Sequence, residues 1–297
     1  MVSADLSGQT LVMLALGFVI VFAVLLSVRM LYGAAVGVDT TKELAGKDNF
    51  AFGIGLAGMT LGIAIMLTGV AEGGYASSIG EEVSVLVVYA VLGLALMWLT
   101  RLIFDRVSIP AFSVKQEIRN GNVAIATVEA GNVLATAVMV RAVIQWSDGA
   151  LTAALIAVVA GYVVSQVILT LTTYYRVRLF AARNPGRRFQ NVVQEGNVAL
   201  ALRFAGFQMG VALAVAAAAR VVEYDPAGDP ITQALIWGAG SAILAVILVV
   251  LSLLAERFVL RRIDVSEEVD RQSNIGVALT EVAVYVAIGL LLNGLLG

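Results

Sequence analysis

Long apolar stretches alternate with short charged segments along the whole chain. Five stretches contain no charged residue and cover 6–28, 49–71, 83–100, 149–175 and 230–255. Three more begin at Asn122, Asn197 and Asn274 and each contain one charged residue, which is Glu129, Arg203 and Glu281 respectively. A helix needs about 20 predominantly apolar residues to cross a bilayer. The pattern therefore predicts eight transmembrane helices.

Composition supports an integral membrane protein. Hydrophobic residues make up 60% of the chain and charged residues 13%, with a mean hydropathy of +0.93, whereas soluble domains contain about 25% charged residues. The segment before the first apolar stretch has an acid and no basic residue, so we expect the first helix to be retained rather than cleaved as a signal peptide.

Residue usage also limits the chemistry. The chain has no cysteine and no histidine, which excludes thiol catalysis, disulfides and imidazole acid–base or metal sites. We find no nucleotide-binding fingerprint and no hydrolase nucleophile motif. We therefore expect a protein that is not an enzyme, without cofactor or bound metal, whose partners are the lipid bilayer and other membrane proteins or further copies of itself, and not nucleic acid.

An internal repeat organises the sequence. Asn49, Asn122, Asn197 and Asn274 stand 73, 75 and 77 residues apart, and each opens an apolar run after an acidic or amide-rich segment. Each repeat is a two-helix hairpin. Self-similarity at a fixed period is typical of repeat architectures.

Basic residues predict the orientation. All but Arg141, Arg203 and Arg220 of the 19 Lys and Arg residues lie after the first, third, fifth and seventh helices. Basic loops are retained in the cytoplasm, so we expect both termini outside and the Asn residues at the cytoplasmic side. All four hairpins then have the same orientation and are parallel repeats, unlike the inverted halves of many transporters.

Small residues mark one face of the even-numbered helices. Counted from the Asn of each repeat, positions +2, +9, +13 and +20 are Gly or Ala in every case, and at 3.6 residues per turn they share a narrow arc. We call these residues the small seam: Ala51, Gly58, Gly62, Gly69; Ala124, Gly131, Ala135, Ala142; Ala199, Gly206, Gly210, Ala217; and Gly276, Ala283, Ala287, Gly294. Small residues let helices approach closely in lipid, so we expect the even helices to form an inner layer and the odd helices an outer one.

A polar stripe lies opposite the seam, at positions 0, +7 and +11. Besides the four Asn residues it contains Glu129, Glu281, Gln208 and Tyr285. Ionisable groups within a membrane usually face the bundle interior, so we expect the stripes to converge there. Arg203, at +6, points about 100° away from the Glu direction.

Two interpretations of these residues remain open. Arg203 and one carboxylate form a buried ion pair that fixes helix register, or the second carboxylate, left without an obvious partner, forms a proton or cation site. The Asn residues are either helix N-caps or polar groups at a cytoplasmic entrance.

The repeats resemble a known family. EIRNGNVAIATVEAG and VVQEGNVALALRFAG are similar to the N-A-A-x-A-x-x-x-x-G core of the bacterial YjfL-like membrane proteins, described as domain of unknown function number 350. Asn122 and Asn197 match the family Asn directly, Asn49 matches with a looser lead-in, and SNIGVALTEVA at Asn274 departs most. Family members typically consist of two hairpins, so the resemblance implies two tandem domains, 1–148 and 149–297. It also implies a bacterial inner-membrane protein associated with envelope-stress systems, and it supplies no activity or catalytic residues.

The sequence thus predicts an all-α integral membrane protein with eight transmembrane helices. Our leading hypothesis is permeation of protons, small cations or a small solute along the polar stripes, with Glu129 and Glu281 as ionisable sites. The alternative is a non-enzymatic scaffold or accessory subunit of a larger membrane or envelope-stress complex.

Overall fold

A computed structural model describes residues 8–72, 78–147 and 150–296. Within these ranges the protein is helical without strands, and eight helices are long and apolar enough to cross a membrane, as predicted. They are α1 (Gly8–Val36), α2 (Phe50–Ala71), α3 (Ile79–Ile103), α5 (Val123–Trp146), α6 (Leu151–Arg183), α8 (Val198–Val221), α9 (Pro230–Val259) and α10 (Ile275–Leu295).

The eight helices form two layers. Helices α2, α5, α8 and α10 lie side by side in an inner row, each packed on the next. An outer row of α1, α3, α6 and α9 covers one side of it. The second, fourth, sixth and eighth membrane-spanning helices therefore form the inner layer and the other four form the outer layer, as expected. The inner row is linear, so α2 and α10 form its two edges.

Several helices are longer than their uncharged cores. α1 continues past Arg29 to Val36, and α6 continues past Tyr175 to Arg183. The apolar run measures only the part of a helix that must face hydrocarbon, and long basic side chains reach from a continuing helix towards the polar boundary. α1 ends at Gly37, whose φ of +74° is the left-handed conformation typical of helix C-termini.

One short helical turn precedes each inner helix. We call these four segments the lead-in turns: π-helical turns at Lys42–Gly46 and Ser266–Arg271, and short helices α4 (Val114–Arg119) and α7 (Phe189–Gln194). The residue just before each Asn has positive φ: Asp48, Gly121, Gly196 and Ser273, with φ from 50° to 93°. The four repeats therefore share one backbone path, and it turns sharply into each inner helix.

The small seams hold the inner row together. A Cβ atom built on Gly58 would lie 2.7 Å from Cβ of Ala130, and one built on Gly131 would lie 2.4 Å from Cβ of Ala205. One built on Gly206 would lie 2.9 Å from Cα of Val282. No side chain fits at these distances, so the helices are in close backbone contact, as predicted for small residues in membranes. In each case the seam of one repeat packs on the next repeat.

The fourth seam departs from this pattern. Gly276, Ala283, Ala287 and Gly294 of α10 are all exposed, whereas the twelve seam residues of the other three repeats are buried. The expectation that this face is an interface is therefore wrong for α10 within the chain. The physical reason is that the row is open within residues 8–72, 78–147 and 150–296, and α10 lies at its edge.

Candidate functional site between the helix layers

The four Asn residues are helix N-caps. Each is extended, with ψ from 92° to 100°, and its Oδ1 accepts a hydrogen bond from the backbone N–H three residues later. These bonds measure 3.0 Å to Phe52, 3.2 Å to Ile125, 2.9 Å to Leu200 and 3.2 Å to Val277. Each cap satisfies a backbone donor that the helix itself leaves unpaired. The capping interpretation is confirmed, while a role at an entrance for permeating ions stays a prediction.

Three of these Asn side chains also join neighbouring repeats. The Nδ2 atom of Asn49 donates to the carbonyl of Ile118 at 3.0 Å, that of Asn122 to Gln194 at 2.8 Å, and that of Asn197 to Val269 at 3.0 Å. Each acceptor lies in the lead-in turn of the next repeat. One amide side chain therefore caps its own helix and fixes the position of the following hairpin.

Acids of the lead-in turns hold these Asn side chains in place. Asn49, Asn122 and Asn274 donate from Nδ2 to Glu43, Glu117 and Glu268 of their own repeats at 2.8–3.1 Å. The ammonium of Lys47, 2.6 Å from Glu43, and the Asn49 amide both donate to the Glu43 carboxylate, and this lowers its pKa below the ordinary value.

Glu129 lies in an ion pair that joins the two layers. Its carboxylate on α5 accepts from Nε of Arg101 on α3 and, at 3.0 Å, from the hydroxyl of Tyr32 on α1. The guanidinium carbon of Arg101 also lies 4.5 Å from the centre of the Tyr32 ring. Gly55 on α2 makes room for this contact, because a Cβ there would lie 1.7 Å from the Tyr32 hydroxyl.

This arrangement corrects the sequence analysis. The distribution of basic residues predicts a loop position for Arg101, but it lies in the last turn of α3 and is 93% buried. Glu129 therefore has its own arginine, and the expectation of a second carboxylate without a partner is wrong. The charge pattern alone does not predict this ion pair, since a basic residue at the end of an apolar run cannot be distinguished from a loop residue. The Nη1 atom of Arg101 is buried and has no hydrogen-bond partner among the described residues.

Glu281 lies in a second, larger ion cluster. Its carboxylate on α10 accepts from Nε of Arg203 on α8 at 2.7 Å and from the Tyr285 hydroxyl at 3.4 Å. Nη1 of Arg203 donates to Asp270 at 2.5 Å. All four side chains are almost fully buried. The expected ion pair involving Arg203 is confirmed for Glu281, while Asp270, from the last lead-in turn, is a member that sequence reasoning missed.

Side chains from α6 and its end complete this cluster. Nη1 of Arg176 donates to the Tyr285 hydroxyl at 3.3 Å, and Nδ2 of Asn184 donates to the second Asp270 oxygen at 2.7 Å. Nη1 of Arg187 donates to the Asp270 carbonyl at 3.0 Å. Asp270 is four residues before Asn274, but its charge is indistinguishable in sequence from those of its acidic neighbours.

Neutral polar groups occupy the space between the two ion pairs. Gln208, predicted as part of the polar stripe, accepts from Thr172 at 3.0 Å and donates to Thr173 at 2.9 Å, so it connects α8 to α6. Gln166 of α6 donates to Thr136 of α5 at 3.1 Å. Sequence reasoning missed the second group because its members lie outside positions 0, +7 and +11.

The polar stripes do not converge, contrary to expectation. In a linear row each stripe faces the outer layer at a separate place, and α8 lies between the helices that carry Glu129 and Glu281. A cavity of about 10 Å³ borders Arg203, Asp270 and Arg176. That volume holds about one water molecule, and neither a capping Asn nor Glu281 lines it.

Comparison with known proteins gives a family and no activity. A family model described as Domain of Unknown Function (DUF350) matches residues 5–144, 77–183 and 150–296. No curated protein and no solved structure matches the chain. The matched segments cover nearly the whole sequence and repeat along it, as do the hairpins of the fold. This multi-pass membrane protein therefore belongs to the DUF350 family.

Proposed function

We propose that this protein is a non-enzymatic membrane scaffold, in which polar groups hold parallel hairpins in a fixed row for other membrane proteins to bind. The observation that carries the proposal is that both intramembrane glutamates are paired with an arginine and a tyrosine. Glu129 has Arg101 and Tyr32, and Glu281 has Arg203 and Tyr285.

Closed pairs are suited to fixing structure. A group that passes protons must alternate between a protonated and an ionised state and must be reached by water or by another carrier. Each of these carboxylates is instead held by a buried guanidinium, and breaking such a pair leaves an uncompensated charge, which costs about 3–5 kcal/mol. The Asn side chains are similarly engaged, because each caps a helix and three also bond to a neighbouring repeat.

Proton or cation permeation is a second candidate, favoured by one observation. Arg203 is shared by Glu281 and Asp270, so two carboxylates face one directly bonded guanidinium. The cavity of about 10 Å³ lies beside this cluster. In this function Asp270 and Glu281 would exchange a proton while Arg203 moves its bonds between them, and the species would enter from the Asn side.

The proposed location is the inner membrane of a bacterium, with both termini outside. Basic residues between the helices at the Asn end support this orientation. The partners are then membrane proteins reached through the helical surface or through the basic cytoplasmic loops. Association with an envelope-stress complex rests on the family resemblance alone.

Proton flux separates the two functions. Purified protein is reconstituted into liposomes with a pH difference and a permeant counter-ion, and internal pH is followed for wild type, Glu281→Gln and Asp270→Asn. The scaffold function predicts no flux above protein-free liposomes for any of them. Flux by the wild type that either variant abolishes, with its helical content retained, would establish permeation. Glu72→Gln, at the far end of α2 and outside both clusters, is the matched control.

A further inference from the structure

The open inner row leaves a face of α2 and a face of α10 without a partner among the described residues. On α10 the small seam is exposed, as described above. At the other edge, α2 exposes Ala57, Ala64 and Thr68, which are positions +8, +15 and +19 of the first repeat. At every interface inside the row, one repeat presents its seam, as α10 does, and the next repeat presents the face that corresponds to the exposed face of α2.

The internal interfaces define how the two sides fit. Position +9 of one repeat contacts +8 of the next, as Gly58 contacts Ala130. Position +13 contacts +15, since a Cβ on Gly62 would lie 3.6 Å from Cβ of Ala137, and position +20 contacts +19, as Gly69 contacts Arg141. The same +9 to +8 contact recurs between the second and third repeats and between the third and fourth.

Both free faces keep the residue sizes that this fit requires. Positions +8 and +15 are small in the first repeat, where they are exposed, as they are in the second and third, where Ala130, Ala137 and Ala212 are buried. The α10 seam is likewise all Gly and Ala. A helix face that meets only lipid gains nothing from small residues, whereas close helix contact depends on them.

The Asn hydrogen bonds give an independent indication. Asn49, Asn122 and Asn197 each donate to the lead-in turn of the following repeat. Asn274 donates to Glu268 of its own repeat, and within the described part of the chain it has no following repeat to bond. Within the same described residues, the lead-in turn that receives no such bond from an Asn is Lys42–Gly46, at the α2 edge.

We propose that a second copy of this chain docks head to tail, with α10 of one copy packed against α2 of the next in the register of the internal repeats. Ala283 then faces Ala57, Ala287 faces Ala64, and the Asn274 amide donates to a carbonyl of the partner's lead-in turn. This deepens the scaffold function and rests on it for its biological meaning, since it names the chain itself as the first partner. Such a heterologous contact generates a closed ring or an extended row.

Disulfide cross-linking tests the register directly. The chain has no native cysteine, so Ala64→Cys with Ala287→Cys places one thiol on each edge. The internal pair in the same register is Gly62 and Ala137. A Cβ built on Gly62 would lie 3.6 Å from Cβ of Ala137, within the range of about 3.5–4.5 Å that disulfides adopt. Copper-phenanthroline oxidation in liposomes, at high lipid-to-protein ratio, should give covalent dimers or larger multiples of the chain.

Single variants distinguish the geometries. Neither Ala64→Cys nor Ala287→Cys alone should cross-link, because each edge meets the opposite edge. Efficient linkage of Ala287→Cys to itself would indicate a two-fold contact and overturn the proposal. Ala64→Cys with Val246→Cys controls for random collision, since Val246 faces outward on α9 and is 63% exposed. A double variant that links no better than this control would also overturn it, and would leave lipid or another protein as the occupant of the seam.

A second variant checks the assembly without cysteines. Ala287→Leu adds bulk to an exposed position, so the chain should keep its thermal stability while its mass in nanodiscs falls to that of one copy. Unchanged assembly would contradict the proposed contact. The cross-linking result is independent of the flux assay. If the protein conducts protons and also cross-links, the scaffold function is refuted and the contact stands. If it conducts no protons and does not cross-link, the contact is refuted and the scaffold function stands.

Discussion

The Glu129–Arg101 pair should behave as a coupled unit in folding. Glu129→Gln removes one charge and leaves the Arg101 guanidinium, with only 9% of its side chain exposed, without an opposite charge. Arg101→Met leaves the carboxylate instead. In the double variant neither charge remains, and the Tyr32 hydroxyl keeps an amide oxygen as acceptor. The double variant should therefore be more stable than either single variant.

The magnitude follows from burial. Removing one partner of a buried ion pair costs about 3–5 kcal/mol, and the contact of the guanidinium with the Tyr32 ring at 4.5 Å is present both before and after Glu129→Gln. The double variant loses the hydrogen bonds of the pair, at about 1–3 kcal/mol, and shares the loss of the Tyr32 ring contact with Arg101→Met. We expect the double variant to recover about 2 kcal/mol relative to the less stable single variant.

Equilibrium unfolding in mixed detergent micelles measures these free energies. The control cycle uses Glu72 and Arg141, which join α2 to α5 at the end opposite the Asn caps with bonds of 2.8 and 2.9 Å. Their side chains are 52% and 36% exposed, so solvent screens the pair and its coupling should be about 0–1 kcal/mol. The reasoning would be refuted if the losses at Glu129 and Arg101 were additive, so that their coupling free energy equalled that of the control pair.

Three further predictions concern packing, capping and topology. Gly206→Leu should lower the thermal stability far more than Leu254→Ala, because a side chain at Gly206 enters the α10 backbone whereas Leu254 is 47% exposed; similar losses would contradict the seam. Asn49→Ala should cost about 1 kcal/mol more than Asn274→Ala in unfolding free energy, since both lose a cap and a bond to an acid of their own lead-in turn, and only Asn49 loses a bond to another repeat. A cysteine introduced at exposed Ala182 should react with impermeant maleimide only after cells are opened, and labelling of intact cells would reverse the topology.

The pattern of apolar and small residues is sufficient to predict which helices form the inner and the outer layer. In a bilayer every spanning segment must satisfy its own backbone, so an apolar run of sufficient length becomes a helix whatever surrounds it. Small residues on the same side of four helices then predict which helices pack closely, because lipid offers no other reason for that pattern. Capping by Asn49 and its equivalents was readable for the same local reason: an Asn before an apolar run bonds to its own helix.

The pairing of the buried polar groups, by contrast, depends on how the helices pack in three dimensions. Arg101 and Glu129 are 28 residues apart, and Arg203 and Asp270 are 67 apart; their pairing depends on the offset between rows of helices, which periodicity within one helix does not contain. The sequence also does not predict that the row is open, since four similar seams are compatible with a closed bundle and with a line. Closure is a matter of the angle between successive repeats. That angle comes from packing between α2, α5, α8 and α10, and it places the last seam at an exposed edge.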